Sequence, residues 1–294
     1  MMEAKEKERY LRQMNVAELG EKGQQKLKDT TFLVIGAGGL GSPAALLLAA
    51  AGAGKIILAD FDTVEVNNLS RQFLHTDARV GMNKAESGAI ALKEINPYLT
   101  VEPYTESIND ETLEPLAARA DIVVECCDNS KTRHAINRVC HKLRKPLVTS
   151  GAIRGAGQVS VFDFRESDTP CYDCAFPEDE EKDLKASTLG VLTSLTGIMG
   201  ALEASEAIKL ATGMGKPLKN QVMLVDVLNN DFQIFNLKPN PECPVCHGGK
   251  GFRKESAPYS RNPAAVLPVG ARVFLWVSEA DPMLTAPARA FSPG

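Results

Sequence analysis

Phe32-Leu-Val-Ile-Gly36-Ala-Gly38-Gly39-Leu-Gly41-Ser42 is the stretch that decides the fold. Four apolar residues at 32–35 read as a short buried strand, the glycines at 36–41 as a tight turn, and the Ala- and Leu-rich run at 42–51 as a helix. A second strand at 55–60 completes a βαβ unit. In that setting Gly-x-Gly-x-x-Gly has a mechanism: glycines let the turn close, backbone N–H groups approach phosphate oxygens, and the helix N-terminus adds partial positive charge. Asp60 follows the glycines by about twenty residues, where a carboxylate accepts hydrogen bonds from ribose hydroxyls. The spacing predicts a nucleotide on Gly36, Gly38, Gly39 and Gly41, with Asp60 at the ribose. Glycines used for helix packing alone are the bland alternative, and the pattern does not separate hydride chemistry on NAD from chemistry on ATP.

Working outward, helices are expected at 83–95, 111–118 and 131–143, alternating with strands at 100–104, 121–126 and 146–150. Such alternation predicts an α/β chain with a Rossmann-like, doubly wound, mostly parallel sheet. Upstream, 6–19 reads as a charged helix carrying Arg9 and Arg12, broken at 20–23. Beyond Gly151 the pattern changes, and 158–164 and 221–236 suggest an antiparallel C-terminal extension around one long helix at 191–211. No linker separates the two patterns, so 1–249 is expected to be one domain. The acidic run at 178–183 reads as a mobile loop, and 250–294 as a poorly ordered tail.

The 294 residues, 44% hydrophobic, suffice for a sizeable core. A net charge of -4 with both signs interspersed offers no stripe for a phosphate backbone, so nucleic acid is not an expected partner. The longest apolar run, 43–53, is far short of a membrane span. The first nine residues are mostly charged and lead into no apolar signal region, which predicts a cytoplasmic protein with its seven cysteines reduced.

The segment after the second strand carries Asp60, Asp62, Asn68, Arg71 and Gln72, followed by Lys84. A nicotinamide enzyme needs a flat apolar slot beside its glycines. Attack of a carboxylate on the α-phosphorus of ATP instead needs cations around developing negative charge and acids to hold Mg²⁺. Arg71 and Lys84 suit the first task, and Asp62 and Asp128 the second, with a solvated charged loop as the alternative. Asp128 follows an apolar strand at the carboxyl edge of the sheet, although Asp128, Asn129 or Ser130 also suits a helix N-cap. The four histidines show no serine or cysteine partnership, and an ionised attacking carboxylate needs no histidine base.

Cys171 and Cys174 form one Cys-x-x-Cys knuckle, and Cys243 and Cys246 a second. Four thiolates closing on Zn²⁺ leave no open position, so the expectation is a structural metal that clamps two distant parts of the chain. Residues 243–247 also spell the haem-attachment pattern, a reading that the absent export signal and the second knuckle disfavour. Cys126, Cys127 and Cys140 read as buried structural thiols.

With these pieces assembled, residues 10–248 resemble the molybdopterin-synthase and thiamine-biosynthesis adenylyltransferases, bacterial relatives of the ubiquitin-activating enzymes. The matching pieces are Arg9-Tyr-Leu-Arg12-Gln, the glycine loop, Asp60-Phe-Asp62, Asn68-Leu-Ser-Arg71-Gln72, Lys84, Cys126-Cys-Asp128-Asn, both knuckles, and Gly197-Ile-Met-Gly200 leading to Glu206-Ala-Ile-Lys209. The resemblance implies a homodimer in which ATP sits on the glycine loop with its ribose on Asp60. Asn68, Arg71, Gln72 and Lys84 would contact phosphates, Asp128 with Mg²⁺ would complete the site, and Arg12 would reach the partner protomer's nucleotide. The implied substrate is the Gly-Gly tail of a ubiquitin-like sulfur carrier, threaded beneath a crossover loop at 178–187. Several relatives carry a cysteine in that loop, where this chain has Ala186 and Ser187, so a separate persulfide donor is expected to supply sulfur.

Overall fold

Phe32, Leu33 and Val34 are fully buried and Ile35 nearly so, which explains why four consecutive apolar residues form a strand: both of its faces are covered. In the computed structural model, which describes residues 2–177 and 189–247, the strands are β1 (Thr31–Ile35), β2 (Lys55–Ala59), β3 (Thr100–Tyr104), β4 (Ile122–Glu125), β5 (Pro146–Ile153), β6 (Ala156–Asp163), β7 (Gln221–Asp226) and β8 (Asp231–Asn236). They form one sheet in the order β3-β2-β1-β4-β5-β6-β7-β8. The first five are parallel, and β6, β7 and β8 continue antiparallel. The Rossmann-like sheet with an antiparallel extension is therefore as expected.

The helices are α1 (Ala4–Met14), α2 (Gly20–Asp29), α3 (Gly41–Ala51), α4 (Lys84–Ile95), α5 (Asp110–Ala118), α6 (Ser130–Leu143), the single turn α7 (Tyr172–Ala175) and α8 (Thr193–Thr212). Side-chain alternation along β1 sends Phe32 and Val34 into one core with α3, α4 and α8, and Leu33 and Ile35 into a second with α5 and α6. Two layers of helices thus sandwich the sheet. No helix among the described residues is long and apolar enough to cross a membrane.

One boundary differs from expectation. Residues 20–23 do not break a helix but open α2, and the chain turns earlier, between α1 and Gly20. Gly23 accounts for this: a β-carbon there would lie 2.8 Å from the Leu19 Cδ1, so the glycine admits the buried Leu19 against the helix. The acidic run at 178–183, the crossover loop at 178–187, the domain boundary expected at 249 and the tail at 250–294 fall outside the described residues.

Candidate nucleotide and metal sites

Between β1 and β4 the strand order reverses, and at such a switch point the loops leaving the carboxyl ends part to leave a crevice. The glycine turn leaves β1 there, Asp60 leaves β2 and Asp128 follows β4. The turn needs its glycines. Gly36 has φ +101, and a β-carbon on it would lie 2.8 Å from the Cys126 carbonyl oxygen. A β-carbon on Gly41 would lie 1.8 Å from the Gly36 carbonyl oxygen, so no side chain fits.

Asp60 is bound to this turn. Its Oδ2 accepts from the Ala37 N–H at 2.7 Å, and Oδ1 accepts from the Asp62 N–H at 2.9 Å. Burial pushes its carboxyl above the usual 3.8, while the Ala37 N–H and the nearby Lys84 charge pull it back.

The loop from Asp60 to Lys84 folds back over the turn. Arg71 passes Gly39, its Cγ 3.5 Å from where a β-carbon would stand, and Thr196 of α8 closes the other side at 3.2 Å. Gln72 is buried, its Nε2 is 3.8 Å from the corresponding point on Gly38, and its Oε1 has no hydrogen-bond partner among the described residues. A buried acceptor left open beside the glycine turn suits a ligand that donates to it. Buried Asn68 organises the loop: its carbonyl oxygen accepts the N–H groups of Arg71 at 3.1 Å and Gln72 at 3.0 Å. Lys84, at the start of α4, is buried, and its Nζ lies 3.0 Å from the exposed Asp62 Oδ2. Asp128 is exposed, because Asn129 takes the N-cap of α6 by accepting from the Thr132 N–H at 2.9 Å. The alternative reading of Asp128 as the cap is thereby removed.

Arg12 is not brought to this site within the chain. Its neighbour Gln13 donates to the Ala51 carbonyl oxygen at 2.9 Å, at the opposite end of α3 from the glycine turn. The 11 residues of α3 separate the two by about 16 Å.

Two supports escaped the sequence reading. Buried His75 lies 3.0 Å by Nε2 from the Ala37 carbonyl oxygen and 2.9 Å by Nδ1 from the Ser87 Oγ. Glu203 of α8, fully buried, meets the residue after β4, its Oε2 accepting from the Cys126 Sγ at 3.3 Å. Burial and the nearby Glu125 push the Glu203 carboxyl well above its usual range. The only sequence signal for His75 was a histidine directly after the apolar Phe73-Leu74 pair in a charged loop.

The four knuckle cysteines meet as expected. Their sulfur atoms lie within 4.8 Å of one another, with Cys171 to Cys243 at 3.5 Å and Cys174 to Cys246 at 3.3 Å. All four are free thiols. A tetrahedron with Zn–S bonds of about 2.3 Å has edges of about 3.8 Å, so the donor set fits zinc after small adjustments. The α7 knuckle is fixed to α6 through buried groups: the Asp173 carboxylate accepts from Asn137 and lies 3.2 Å from the His134 Nδ1.

Comparison with known proteins supplies the family. The model of the ThiF family matches residues 10–245. The molybdopterin-synthase adenylyltransferase of Salmonella typhimurium is 42% identical over 238 residues, covering 81% of this chain and 95% of that protein. The adenylyltransferase and sulfurtransferase MOCS3 of Drosophila virilis is 41% identical over 81% of this chain and 53% of its own length. The crystal structure of Escherichia coli MccB with ATP matches with a TM-score of 0.71 at 26% identity, covering 81% of this chain and 74% of that one. A family match over most of the chain, and likeness to a named adenylyltransferase over nearly its whole length, establish that the chain belongs to the ThiF family as an adenylyltransferase.

Proposed function

We propose that the protein adenylates the C-terminal glycine carboxylate of a ubiquitin-like sulfur carrier, releasing pyrophosphate and priming the carrier for thiocarboxylate formation. The observation that carries this reading is the convergence of Asp60, Arg71 and Gln72 on one glycine turn at the switch point of the sheet. Similarity to the molybdopterin-synthase enzyme supports the carrier as substrate.

In this reading the carrier carboxylate attacks the α-phosphorus of ATP. A carboxylate-phosphorus bond forms, the bond to the bridging oxygen of pyrophosphate breaks, and no proton has to be removed from the nucleophile. Backbone N–H groups of the glycine turn hold phosphate oxygens. Arg71 approaches over Gly39 to meet charge developing in the transition state. Lys84 spends one of its three N–H donors on Asp62 and keeps others for phosphate. Asp128 and Asp62 would hold a Mg²⁺ that offsets phosphate charge.

The finer assignments belong to the same proposal. The enzyme acts as a homodimer in which Arg12, remote from its own glycine turn, serves the partner's nucleotide. The 178–187 segment covers the carrier tail, Zn²⁺ on the four cysteines is structural, a separate persulfide donor brings sulfur, and the reaction takes place in the cytoplasm. Asp128→Ala tests the core of the reading. ATP–pyrophosphate exchange is expected to fall on the order of a hundredfold or more, with the fold retained, and exchange within about tenfold of the parent would remove Asp128 from the site. Protection from thermal unfolding by Mg²⁺ and ATP, but not by NAD, separates the reading from a dinucleotide oxidoreductase.

A further inference from the structure

Asp128 is exposed, yet the backbone on either side of it is held from within the protein. On the far side Asn129 is fixed as the cap of α6. On the near side both polar groups of the Cys127 backbone are taken. Its N–H donates to the Glu125 Oε1 at 2.6 Å, and its carbonyl oxygen accepts from the Arg133 Nη2 at 2.6 Å. These two side chains face each other, with the Arg133 Nε 3.7 Å from the Glu125 Oε1. The second Glu125 oxygen accepts from the Thr149 hydroxyl of β5 at 2.6 Å, which ties the assembly to the sheet. Glu125 is 1% exposed and Arg133 9%.

A buried ion pair is a poor stabiliser, because the desolvation of both charges offsets most of their attraction. Uncharged residues would close the end of β4 at least as well. What the pair accomplishes is geometric: a carboxyl acceptor and a guanidinium donor grip one peptide from opposite sides, one residue before a carboxylate that must be placed to within about half an ångström. We propose that Glu125 and Arg133 are positioning residues that aim the Asp128 carboxylate at the metal-bound phosphates of the nucleotide. The proposal rests on the reading of Asp128 given above.

Glu125→Gln keeps the shape but leaves one accepting oxygen where the carboxylate offers two, to the Cys127 N–H and the Thr149 hydroxyl. Arg133→Lys keeps the charge and loses the fork that reaches both the carbonyl oxygen and Glu125. Partners behind a metal-holding group are worth about 10- to 100-fold in metal affinity or activity. Each variant is therefore expected to lower kcat for ATP–pyrophosphate exchange about tenfold or more, and to weaken binding of Mn²⁺ with ATP, read by Mn²⁺ paramagnetic resonance, by a similar factor. KM for the carrier should stay within about twofold. In an Asp128→Asn background the same changes should add less than about twofold, because they act through Asp128. Equal losses in both backgrounds, or unchanged Mn²⁺ binding, would show a merely structural pair and overturn the proposal. Should Glu125→Gln fail to fold, Arg133→Lys, which leaves Glu125 beside a cation, decides the matter alone. Failure of the underlying reading looks different: Asp128→Asn would itself then leave exchange intact.

Discussion

The His75 Nε2 meets the Ala37 carbonyl oxygen at 3.0 Å, joining the loop after β2 to the glycine turn after β1. A carbonyl only accepts, so Nε2 carries a proton, and in the neutral ring Nδ1 accepts from the Ser87 hydroxyl. Burial, with the Lys84 and Arg79 charges, lowers its pKa from 6.5 to about 4, against the pull of the Ala37 carbonyl. Between these values the unfolded chain binds the extra proton, so the His75 contribution is whole above 6.5 and fades as pH falls toward 4.

ATP affinity measured by calorimetry should consequently show no His75-dependent change between pH 7 and 8. His75→Ala should weaken ATP binding about fivefold to tenfold, the value of one or two hydrogen bonds supporting the turn. An inflection centred on pH 6.5 that disappears in His75→Ala would contradict the neutral assignment.

The zinc clamp is expected to contain one Zn²⁺ per chain by elemental analysis. Stripping it with a chelator should lower the thermal midpoint more than it lowers exchange activity at a permissive temperature, because the cluster joins α7 to the stretch after β8 and contributes no group to the nucleotide crevice. Active, folded protein with no bound metal would remove the zinc assignment.

Turnover is expected to stop at the acyl adenylate. No cysteine lies between Cys174 and Cys243. Burial, together with neighbouring acids, pushes the Cys126 and Cys127 thiols well above their usual range, and burial does the same to Cys140. Such thiols stay protonated at neutral pH and are weak nucleophiles. Intact-protein mass spectrometry of enzyme, carrier, ATP and Mg²⁺ should show no covalent enzyme-carrier species. A stoichiometric adduct, reversed by thiols and lost on replacing Cys126, Cys127 or Cys140, would show that the chemistry continues on this chain.

Mixed dimers test the placement of Arg12. Arg12→Ala and Asp128→Ala protomers are each expected to be impaired, and their heterodimer to recover activity at the one site that keeps both groups. A confirmed heterodimer with no recovered activity would count against a shared site.

Much of this was legible because local patterns and tertiary demands agree. The run 32–35 is apolar on both faces because it is central, and the glycines that follow are forced by the approach of Cys126 and of Gly36 itself. Both Cys-x-x-Cys pairs announced their meeting through spacing alone. The rest depends on contacts with no sequence period. His75 reaches Ala37 in the glycine turn from 38 residues away, and Glu203 reaches Cys126 beside that turn from 77 residues away. Gly23 looked like a helix breaker until Leu19 was found packed against it. Arg12 could not be located from spacing, because only the docking of Gln13 on Ala51 fixes which end of α3 it occupies.

The central claim is that this chain activates a carrier carboxylate with ATP, and isotope exchange between pyrophosphate and ATP measures that step directly. With Mg²⁺ and a ubiquitin-like sulfur carrier ending in Gly-Gly, exchange should be robust and should vanish when the terminal glycine of the carrier is amidated, since an amide is no nucleophile for the α-phosphorus. Exchange that proceeds equally with the amidated carrier, or none with any Gly-Gly carrier tested while ATP binds, would contradict the account.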